Sequence, residues 1–215
     1  MRDTRSTATP ARAAHRRRWR PPFWLVVAVV VLASLALRAL LVGVYVIPSE
    51  SMQETLDPGD RVVVAKWRAG AVHRGDVVVF DGEGTFGAVP GADAGPLEKA
   101  IGALDGHAPE NVYVKRVIGV GGDHVACCDA RGRVTVNDQP LDEGYLFPGD
   151  APSQTPFDVR VPAGRIWLLG DHRSASGDSR YHLGAPGGGT VDASRVIGPV
   201  LVRYWPLSRF GGVER

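Results

Sequence analysis

The sequence predicts a mainly β protein that carries one transmembrane helix near its N-terminus. Short Val-rich segments bounded by Gly, Pro or Asp are typical of strands, and a series of them follows residue 60: 61–67, 76–80, 112–120, 133–136, 157–161, 165–169 and 200–205. One long apolar run, residues 23–46, precedes them. With 215 residues and 44% hydrophobic content, the chain can bury one sizeable core, which excludes a disordered protein.

The apolar run is interrupted only by Ser34 and Arg38. If helical, it would be about 36 Å long, which is enough to cross a bilayer. A cleaved signal peptide is the alternative, but its apolar region would have about 7 to 15 residues before a small-residue cleavage site. Here the bulky residues from Tyr45 to Ile47 come next, so we predict a retained transmembrane helix over residues 22–44.

Basic charge is concentrated at the N-terminus, although the net formal charge is only +2. Residues 1–47 hold eight Arg and one Asp, which leaves 17 Lys+Arg against 22 Asp+Glu, a net charge of −5, in the remainder. An acidic folded part argues against nucleic-acid binding. An arginine cluster keeps its side of a membrane helix in the cytoplasm. We therefore expect a basic cytoplasmic tail over residues 1–21 and an extracytoplasmic domain over residues 45–215.

Two local patterns interrupt the predicted strands. Residues 81–110 are rich in Gly, Pro and Ala and predict a surface excursion. Within this excursion a helix candidate begins at Pro96 and ends at Leu104. Residues 129–133 predict a tight hairpin turn around Gly132.

The sequence contains two cysteines, Cys127 and Cys128, and they are adjacent. Adjacency is poor geometry for an ordinary structural disulfide, and it lacks the spacing of a metal site. The cysteines therefore carry no prediction about compartment. We expect no metal site and no cofactor.

Two serines, Ser49 and Ser51, directly follow the apolar run. Pro48 has a fixed φ and biases the preceding residue toward an extended backbone, so the serines are expected on a rigid turn rather than in a helix. A serine is a weak nucleophile unless a neighbouring base takes its proton. Taken alone, Ser-x-Ser after a proline is ordinary turn chemistry, so a catalytic interpretation needs a base from elsewhere in the chain.

Lys115 is the natural candidate for that base. It lies in the apolar strand of residues 112–120 and is one of only three lysines, beside 22 arginines. Arginine stays protonated, whereas a desolvated lysine loses its charge and can act as a base near neutral pH. A lysine that extends its amine to water from a strand edge is the alternative interpretation. Five histidines offer competing bases: His73, His107, His124, His172 and His182.

A dense polar segment, residues 170–180, follows the apolar strand of residues 165–169. A solvated turn is the simplest interpretation of this segment. It nevertheless combines small hydroxyl groups with Asp178 and Arg180, which could orient a lysine and fix the loop through a carboxylate–guanidinium pair.

Together these three segments resemble bacterial type I signal peptidase, a membrane-bound Ser-Lys protease that removes signal peptides from exported proteins. The resemblance covers residues 23–205 and agrees in the order and spacing of the segments. The matching residues are Pro48-Ser49-Glu50-Ser51-Met52 with Thr55-Leu56 and Gly59-Asp60, then Lys115-Arg116-Val117-Ile118-Gly119 with Gly122-Asp123, and finally Gly170-Asp171, Arg173, Ser176 and Asp178-Ser179-Arg180.

The resemblance implies a role for each matched polar side chain. Ser51 is expected to be the nucleophile and Lys115 its general base. The backbone N–H of Ser51 and the hydroxyl of Ser49 are expected to form the oxyanion hole, because a developing charge needs fixed donors. Ser176 is expected to hydrogen-bond to Lys115, and Asp178 to pair with Arg180.

The resemblance also implies the substrate and the fold. Its substrates are signal peptides with small side chains at the first and third positions before the cut, the Ala-x-Ala pattern. The family binds these small side chains in two shallow pockets. The residues expected to line them here are mostly apolar: Tyr45, Ile47, Pro48, Met52, Leu56, Tyr113 and Val114. The implied fold is a strand-rich domain of coiled antiparallel sheets. The implied setting is the bacterial plasma membrane, with the lipid bilayer as a partner and the secretion machinery as a further candidate partner.

Three positions depart from the family pattern. Glu54 stands where a proline is common, Gly198-Pro199-Val200 replaces a usual Gly-Arg-Ala, and the run from Gly187 to Gly189 enlarges the loop after Arg180. These departures affect the expected loop geometry and a structural charge pair, and they leave the Ser-Lys pair complete.

Two other functions fit parts of the sequence. A self-cleaving repressor has a similar Ser-Lys core, but it is soluble and carries DNA-binding or partner-binding segments, so the predicted anchor argues against it. A catalytically inactive, membrane-tethered module could hold extended peptides in the same groove by strand addition. The complete set of Ser49, Ser51 and Lys115 argues against that module, and cleavage of a synthetic Ala-x-Ala signal peptide distinguishes the two.

Overall fold

Strands form most of the regular structure in the computed structural model, which describes residues 22–87 and 111–213. One helix, α1 (Phe23–Leu41), precedes all of the strands. The strands are β1 (Val42–Val46), β2 (Arg61–Ala65), β3 (Val77–Asp81), β4 (Val112–Val120), β5 (His124–Cys127), β6 (Val134–Val136), β7 (Gln139–Pro140), β8 (Phe157–Arg160), β9 (Arg165–Leu169), β10 (Val191–Asp192), β11 (Val196–Trp205) and β12 (Gly211–Gly212). The predicted mainly β class is therefore confirmed.

The strands form two antiparallel sheets. The larger sheet has eight strands in the order β1-β2-β11-β3-β4-β9-β10, with β12 paired to β11. The smaller sheet has the order β7-β6-β5-β8. Register shifts interrupt the pairing of β11 with β2 and β3 and of β4 with β9, and such bulges bend a strand and increase its twist. The larger sheet is therefore curled, as the family resemblance implied.

Strand β3 is buried on both faces because the two sides of the sheet pack into different core clusters. Successive side chains of a strand point to opposite faces. Val77 and Val79 accordingly pack into one cluster, and Val78 and Phe80 pack into another. A third cluster joins the small sheet to the large one and contains Trp167. A strand with both faces buried has apolar residues at successive positions, which explains the unbroken Val-Val-Val-Phe of β3.

Several strand predictions are confirmed with small shifts. β4 and β9 have the predicted limits, whereas β11 begins four residues earlier than predicted, at Val196. The hairpin turn between β5 and β6 is also confirmed, since Asp129 N–H donates to Arg133 O (2.9 Å) and Gly132 has a φ of 78°.

Strand β1 was not predicted, and it shortens the helix. Residues 42–46 continue the apolar run without a break, so the spacing of apolar residues does not indicate a change from helix to strand. They form a strand because they pair with β2, in a register that places Tyr45 opposite Val62.

The predicted transmembrane helix of residues 22–44 is not supported. Helix α1 has 19 residues, which corresponds to about 28 Å, against about 30 Å of bilayer hydrocarbon. Within the described residues, no helix combines the length and the apolarity needed to cross a membrane. The remainder of the predicted span belongs to strand β1.

Some predictions lie outside the described residues. These are the basic tail of residues 1–21, the helix over residues 96–104, His107 and most of the excursion of residues 81–110. The described chain divides into two units, with the boundary between Leu37 and Arg38. All twelve strands among the described residues belong to the second unit.

Adjacent cysteines are poor geometry for an ordinary structural disulfide, and the sequence left the role of Cys127 and Cys128 open. Cys127 and Cys128 are bonded to each other at the end of β5.

We predict that Gly198→Ala destabilises the domain. A Cβ atom at Gly198 would lie 2.3 Å from the carbonyl oxygen of Ala65, a backbone atom that cannot move aside without distorting β2. Overpacking of this kind costs about 1–3 kcal/mol, which denaturant unfolding of the purified chain measures. Gly70→Ala is the matched control because no atom lies within 4 Å of its Cβ position. Equal stability of the two variants would contradict the steric argument.

Candidate active site

The two predicted serines lie on a closed loop between β1 and β2, residues 47–60, here called the serine loop. Its base is closed by two backbone hydrogen bonds: Ile47 N–H donates to Asp60 O (2.9 Å) and Gly59 N–H donates to Ile47 O (2.8 Å). Ser49 has an extended backbone, and Ser51 lies in a single 3-10 turn, Glu50–Met52. Ser51 is buried, whereas Ser49 is exposed and its Oγ lies 3.4 Å from that of Ser51.

Lys115 and Ser51 meet in the structure. Lys115 lies at the middle of β4, where its backbone is paired with Val78. Its Nζ donates a 2.5 Å hydrogen bond to Ser51 Oγ, across 64 residues of sequence. The side chain is 4% exposed, so the alternative in which the amine reaches into water from a strand edge is wrong.

The environment of Lys115 favours its neutral form. Burial lowers the pKa of Lys115 from 10.5 to about 8, because the ammonium loses its hydration in the protein interior. The carboxylates of Asp178 and Asp171 oppose this shift, and the guanidinium of Arg180 adds to it. A substantial fraction of the amine is therefore unprotonated in mildly alkaline solution and can accept a proton.

Asp178 and Arg180 form the ion pair that the third segment suggested. Arg180 Nε and Nη2 donate to the two carboxylate oxygens of Asp178, both at 2.8 Å. Arg180 Nη2 also donates to Arg173 O (2.7 Å), and Asp178 accepts from the N–H of Gly170 (3.0 Å). Both side chains are buried. The pair therefore ties the beginning and the end of residues 170–180 together beside Lys115.

The predicted hydrogen bond from Ser176 to Lys115 is not formed. Ser176 is 2% exposed, and its Oγ has no hydrogen-bond partner among the described residues. It nevertheless lies at the site, since a Cβ atom on Gly170 would meet both Ser176 Oγ (2.2 Å) and the carbonyl oxygen of Ser51 (2.5 Å). Only glycine at position 170 allows this approach of the third segment to the serine loop.

A buried ion pair between Arg116 and Asp171 connects all three segments, and the sequence analysis assigned neither residue a role. Arg116 follows Lys115 in β4, and its Nε and Nη2 donate to the two carboxylate oxygens of Asp171 at 2.8 and 2.7 Å. Thr55 Oγ1, from the serine loop, donates to the same carboxylate (2.6 Å). The available signal was Arg116, a charged residue inside an apolar strand, because a buried charge requires a partner.

None of the described histidines replaces Lys115 at the serine hydroxyl. The His172 ring stacks on Phe147 at 3.9 Å, and its backbone N–H donates to the carbonyl oxygen of Ser51 (3.2 Å). His182 contacts Phe86 in an aromatic cluster. His73 and His124 lie beside carboxylates, Asp76 and Asp158 respectively.

Most of the predicted pocket residues share one core cluster next to the serine loop. Ile47, Met52 and Leu56 are buried there, with Tyr45 and Val114 partly buried against them. Pro48 is exposed. Tyr113 differs, because its ring packs against Phe80 and Phe86 in the neighbouring cluster.

A family model and two sequence relatives agree on one family. The family model described as signal peptidase, peptidase S26, matches residues 19–205. The probable signal peptidase I of Mycobacterium leprae is 40% identical over 204 residues, covering 79% of this chain and 70% of the relative. The signal peptidase I of Bacillus caldolyticus is 32% identical over 209 residues, covering 90% of this chain and 93% of the relative. A solved signal peptidase I from Enterococcus faecalis is 22% identical with a TM-score of 0.39, covering 60% of this chain and 95% of that one.

We predict that one lysine of the folded chain titrates near pH 8. Burial lowers the pKa of Lys115, and NMR of isotope-labelled lysine can follow the three amines separately, with Lys115→Met identifying the signal. Between about pH 8 and 10.5 the unfolded chain binds more protons at this site than the folded chain, so the free energy of unfolding should rise with pH there. Lys115→Met should lose that rise. A Lys115 signal that titrates at 10.5 would contradict the predicted desolvation.

Proposed function

The chain belongs to the signal peptidase family, peptidase S26, and on this premise we propose that it is a serine endopeptidase that removes N-terminal signal peptides from exported preproteins. The observation that carries the proposal is the buried 2.5 Å contact between Lys115 Nζ and Ser51 Oγ. A hydroxyl next to an amine of lowered pKa is the arrangement that activates a serine for acyl transfer.

In the proposed reaction Ser51 Oγ attacks the scissile carbonyl carbon while its proton passes to neutral Lys115. The ammonium of Lys115 then gives a proton to the leaving amine, and an acyl-enzyme remains on Ser51. Water, deprotonated by the same amine, releases the acyl group and restores the serine. The backbone N–H of Ser51 and the hydroxyl of Ser49 are the proposed donors to the oxyanion.

Asp178 and Arg180 support this chemistry by fixing the loop beside the base. Their paired charges contribute opposite effects on the pKa of Lys115, so the loop can stay buried without adding a large net charge at the amine. Ser176 is proposed to take part once substrate is bound, since its buried hydroxyl has no partner among the described residues.

The edge of β4 supports binding of an extended peptide. β3 pairs with β4 along Val112–Arg116, but on the other edge β9 pairs only from Arg116 onward. Within the described part of the chain, residues 112–114 therefore keep one unpaired edge directly before Lys115. A peptide strand added there would present its carbonyl groups toward the serine loop.

The Ala-x-Ala preference is proposed from the packing beside this edge. Ile47, Met52 and Leu56 are almost completely buried in the core, so they cannot move aside to admit a large side chain. Tyr45 and Val114 border the same cluster, and Pro48 lies exposed at the serine loop. Tyr113, which packs with Phe80 and Phe86, is proposed to contact the peptide mainly through its backbone.

We also propose that the protein works at the bacterial plasma membrane, with its catalytic domain outside the cytoplasm. Helix α1 supports contact with lipid because many of its large apolar side chains are exposed, among them Phe23, Trp24, Leu32 and Leu40. The secretion machinery is a further proposed partner because it delivers preproteins to this surface. Flotation of the full-length chain with lipid vesicles tests the lipid contact, and a chain that stays with the soluble fraction would contradict it.

We predict that Lys115→Arg is as inactive as Ser51→Ala. Guanidinium, with a pKa of about 12.5 or more, cannot accept the serine proton, and a general base typically contributes about 10²- to 10⁴-fold in rate. The measurement is cleavage of a synthetic Ala-x-Ala signal peptide, read by the mass of the released fragments.

His172→Ala is the matched control, because it keeps the backbone N–H that contacts Ser51 O, and it should retain substantial activity. If Lys115→Arg kept more than about a tenth of the parent rate while His172→Ala did not, the lysine base would have to be abandoned. A parent chain that binds the peptide without cleaving it would favour the inactive binding module.

We predict that Ser49→Ala slows the chemical step and leaves binding nearly unchanged. An oxyanion donor acts only as charge develops, and loss of one such donor typically lowers kcat by about 10²- to 10³-fold. Ser49→Thr keeps the hydroxyl and should retain much more activity. A variant altered only in KM would show that Ser49 contacts the substrate instead.

A further inference from the structure

Two arginines from the C-terminal part of the chain, far from Ser51 in sequence, bind residues of the serine loop. Arg209 lies in a 3-10 turn, Leu207–Arg209, that follows β11, and Arg203 lies in β11 itself. Neither residue belongs to the three segments that carry the family resemblance. Their contacts are with the second half of the loop, residues 54–60, immediately after the serine turn.

Arg209 binds three acceptors on the loop. Its Nη1 contacts the carboxylates of Asp57 and Asp60, the latter at 3.1 Å, and its Nη2 donates to Glu54 O (3.2 Å). Asp60 is 2% exposed and also receives the N–H of Asp57 (2.8 Å). The backbone of Asp60 closes the base of the loop at Ile47. Arg209 therefore joins the end of the loop to the backbone that follows the serine turn.

Arg203 completes the arrangement. Its Nη1 donates to Thr55 O (2.6 Å), and its Nε donates to Arg209 O (2.6 Å). One arginine thus holds both the loop backbone and the backbone of the other arginine. Thr55 is the residue whose side chain donates to Asp171, so the same short stretch is held from two sides.

The backbone held by these arginines has an unfavourable conformation. Glu54 has a φ of 76°, in the left-handed region that costs non-glycine residues free energy. A proline, common here in the family pattern, cannot adopt this φ because its ring fixes φ near about −65°. Strained backbone persists only when its surroundings hold it, and the carbonyl oxygens of Glu54 itself and of the next residue, Thr55, are the atoms that Arg209 and Arg203 bind.

We propose that Arg203 and Arg209 are positioning residues, which hold the serine loop in the conformation that keeps Ser51 within proton-transfer distance of Lys115. This inference rests on the proposed peptidase function. An ordinary surface ion pair contributes little to structure. Here the acceptors include a buried carboxylate and two main-chain carbonyl oxygens of the loop that carries the nucleophile.

The test compares Arg209→Gln with Arg195→Gln in the purified full-length chain. Arg195 is the matched control because it also contacts two carboxylates, Asp81 and Glu83, at 3.1 and 3.6 Å, and its side chain is 38% exposed against 27% for Arg209. Both of these Arg195 contacts lie outside the serine loop. A misplacement of about 1 Å costs up to about 10²-fold in rate, so Arg209→Gln should lower kcat by about 10- to 100-fold and leave KM within about twofold. Arg195→Gln should change neither.

The pH profile is a second readout, which a purely structural loss of active protein would not move. A loosened loop admits water to Lys115, and hydration reverses the burial that lowers the pKa of Lys115. The acid limb of kcat/KM should therefore move to higher pH in Arg209→Gln and stay in place in Arg195→Gln. Arg209→Lys keeps one charge but cannot reach all three acceptors, so it should lie between the parent and Arg209→Gln.

A double variant locates the effect. If Arg209 acts through the loop, Arg209→Gln combined with Asp57→Asn should be no slower than Arg209→Gln alone. Losses that multiply, or an unchanged kcat and pH profile in Arg209→Gln, would overturn the inference.

Amide hydrogen exchange separates this inference from the proposed function. Arg209→Gln should speed exchange at the amides of Gln53 and Leu56, which donate to Glu50 O and Met52 O within the serine loop, while Arg195→Gln leaves them unchanged. A parent chain that cleaves no signal peptide would refute the proposed function. The exchange result would then still decide whether Arg209 positions the serine loop. Unchanged exchange in Arg209→Gln would refute the positioning role even in an active peptidase.

Discussion

The burial of charge around one lysine is the constraint on which the rest of the site depends. Lys115, Arg116, Asp171, Asp178 and Arg180 are each no more than 5% exposed. An unpaired ion in the interior costs several kcal/mol, so every one of these side chains has to find a partner. Each guanidinium binds a carboxylate, and the amine of Lys115 binds the hydroxyl of Ser51. In the part of the chain that the structure describes, Lys115 is the member without a carboxylate in hydrogen-bond contact, and this leaves its amine free to change protonation state.

Strand geometry assigns the two adjacent cations of β4 to different tasks. Successive side chains of a strand point to opposite faces, so Lys115 and Arg116 meet different surroundings. Lys115 contacts the serine turn, whereas Arg116 contacts Asp171 and donates to Gly75 O (2.9 Å). Arg116 thereby draws the third segment against β4, and Gly170 allows that segment to approach Ser51 closely. The structural ion pair and the proposed catalytic pair are thus positioned by the same strand.

Local sequence patterns predicted the parts of the fold that local forces decide. The limits of β4 and β9 and the turn around Gly132 follow from Val-rich strands and from a glycine that tolerates positive φ. The end of α1 could not be predicted in this way. Residues 42–46 are as apolar as the helix before them. They form a strand only because they pair with the edge of β2.

The sequence by itself determined which residues have the chemistry for the site: two serines after a fixed proline, a rare lysine in an apolar strand, and an Asp–Arg pair in a polar loop. Only the tertiary structure decided that Lys115 reaches Ser51, that Ser176 does not reach Lys115, and that Arg203 and Arg209 bind the serine loop. The physical reason is that residue type and spacing act locally. Burial, hydrogen-bond distance and the partner of a buried charge depend on segments 55 to 155 residues apart, brought together by pairing and packing in the folded chain.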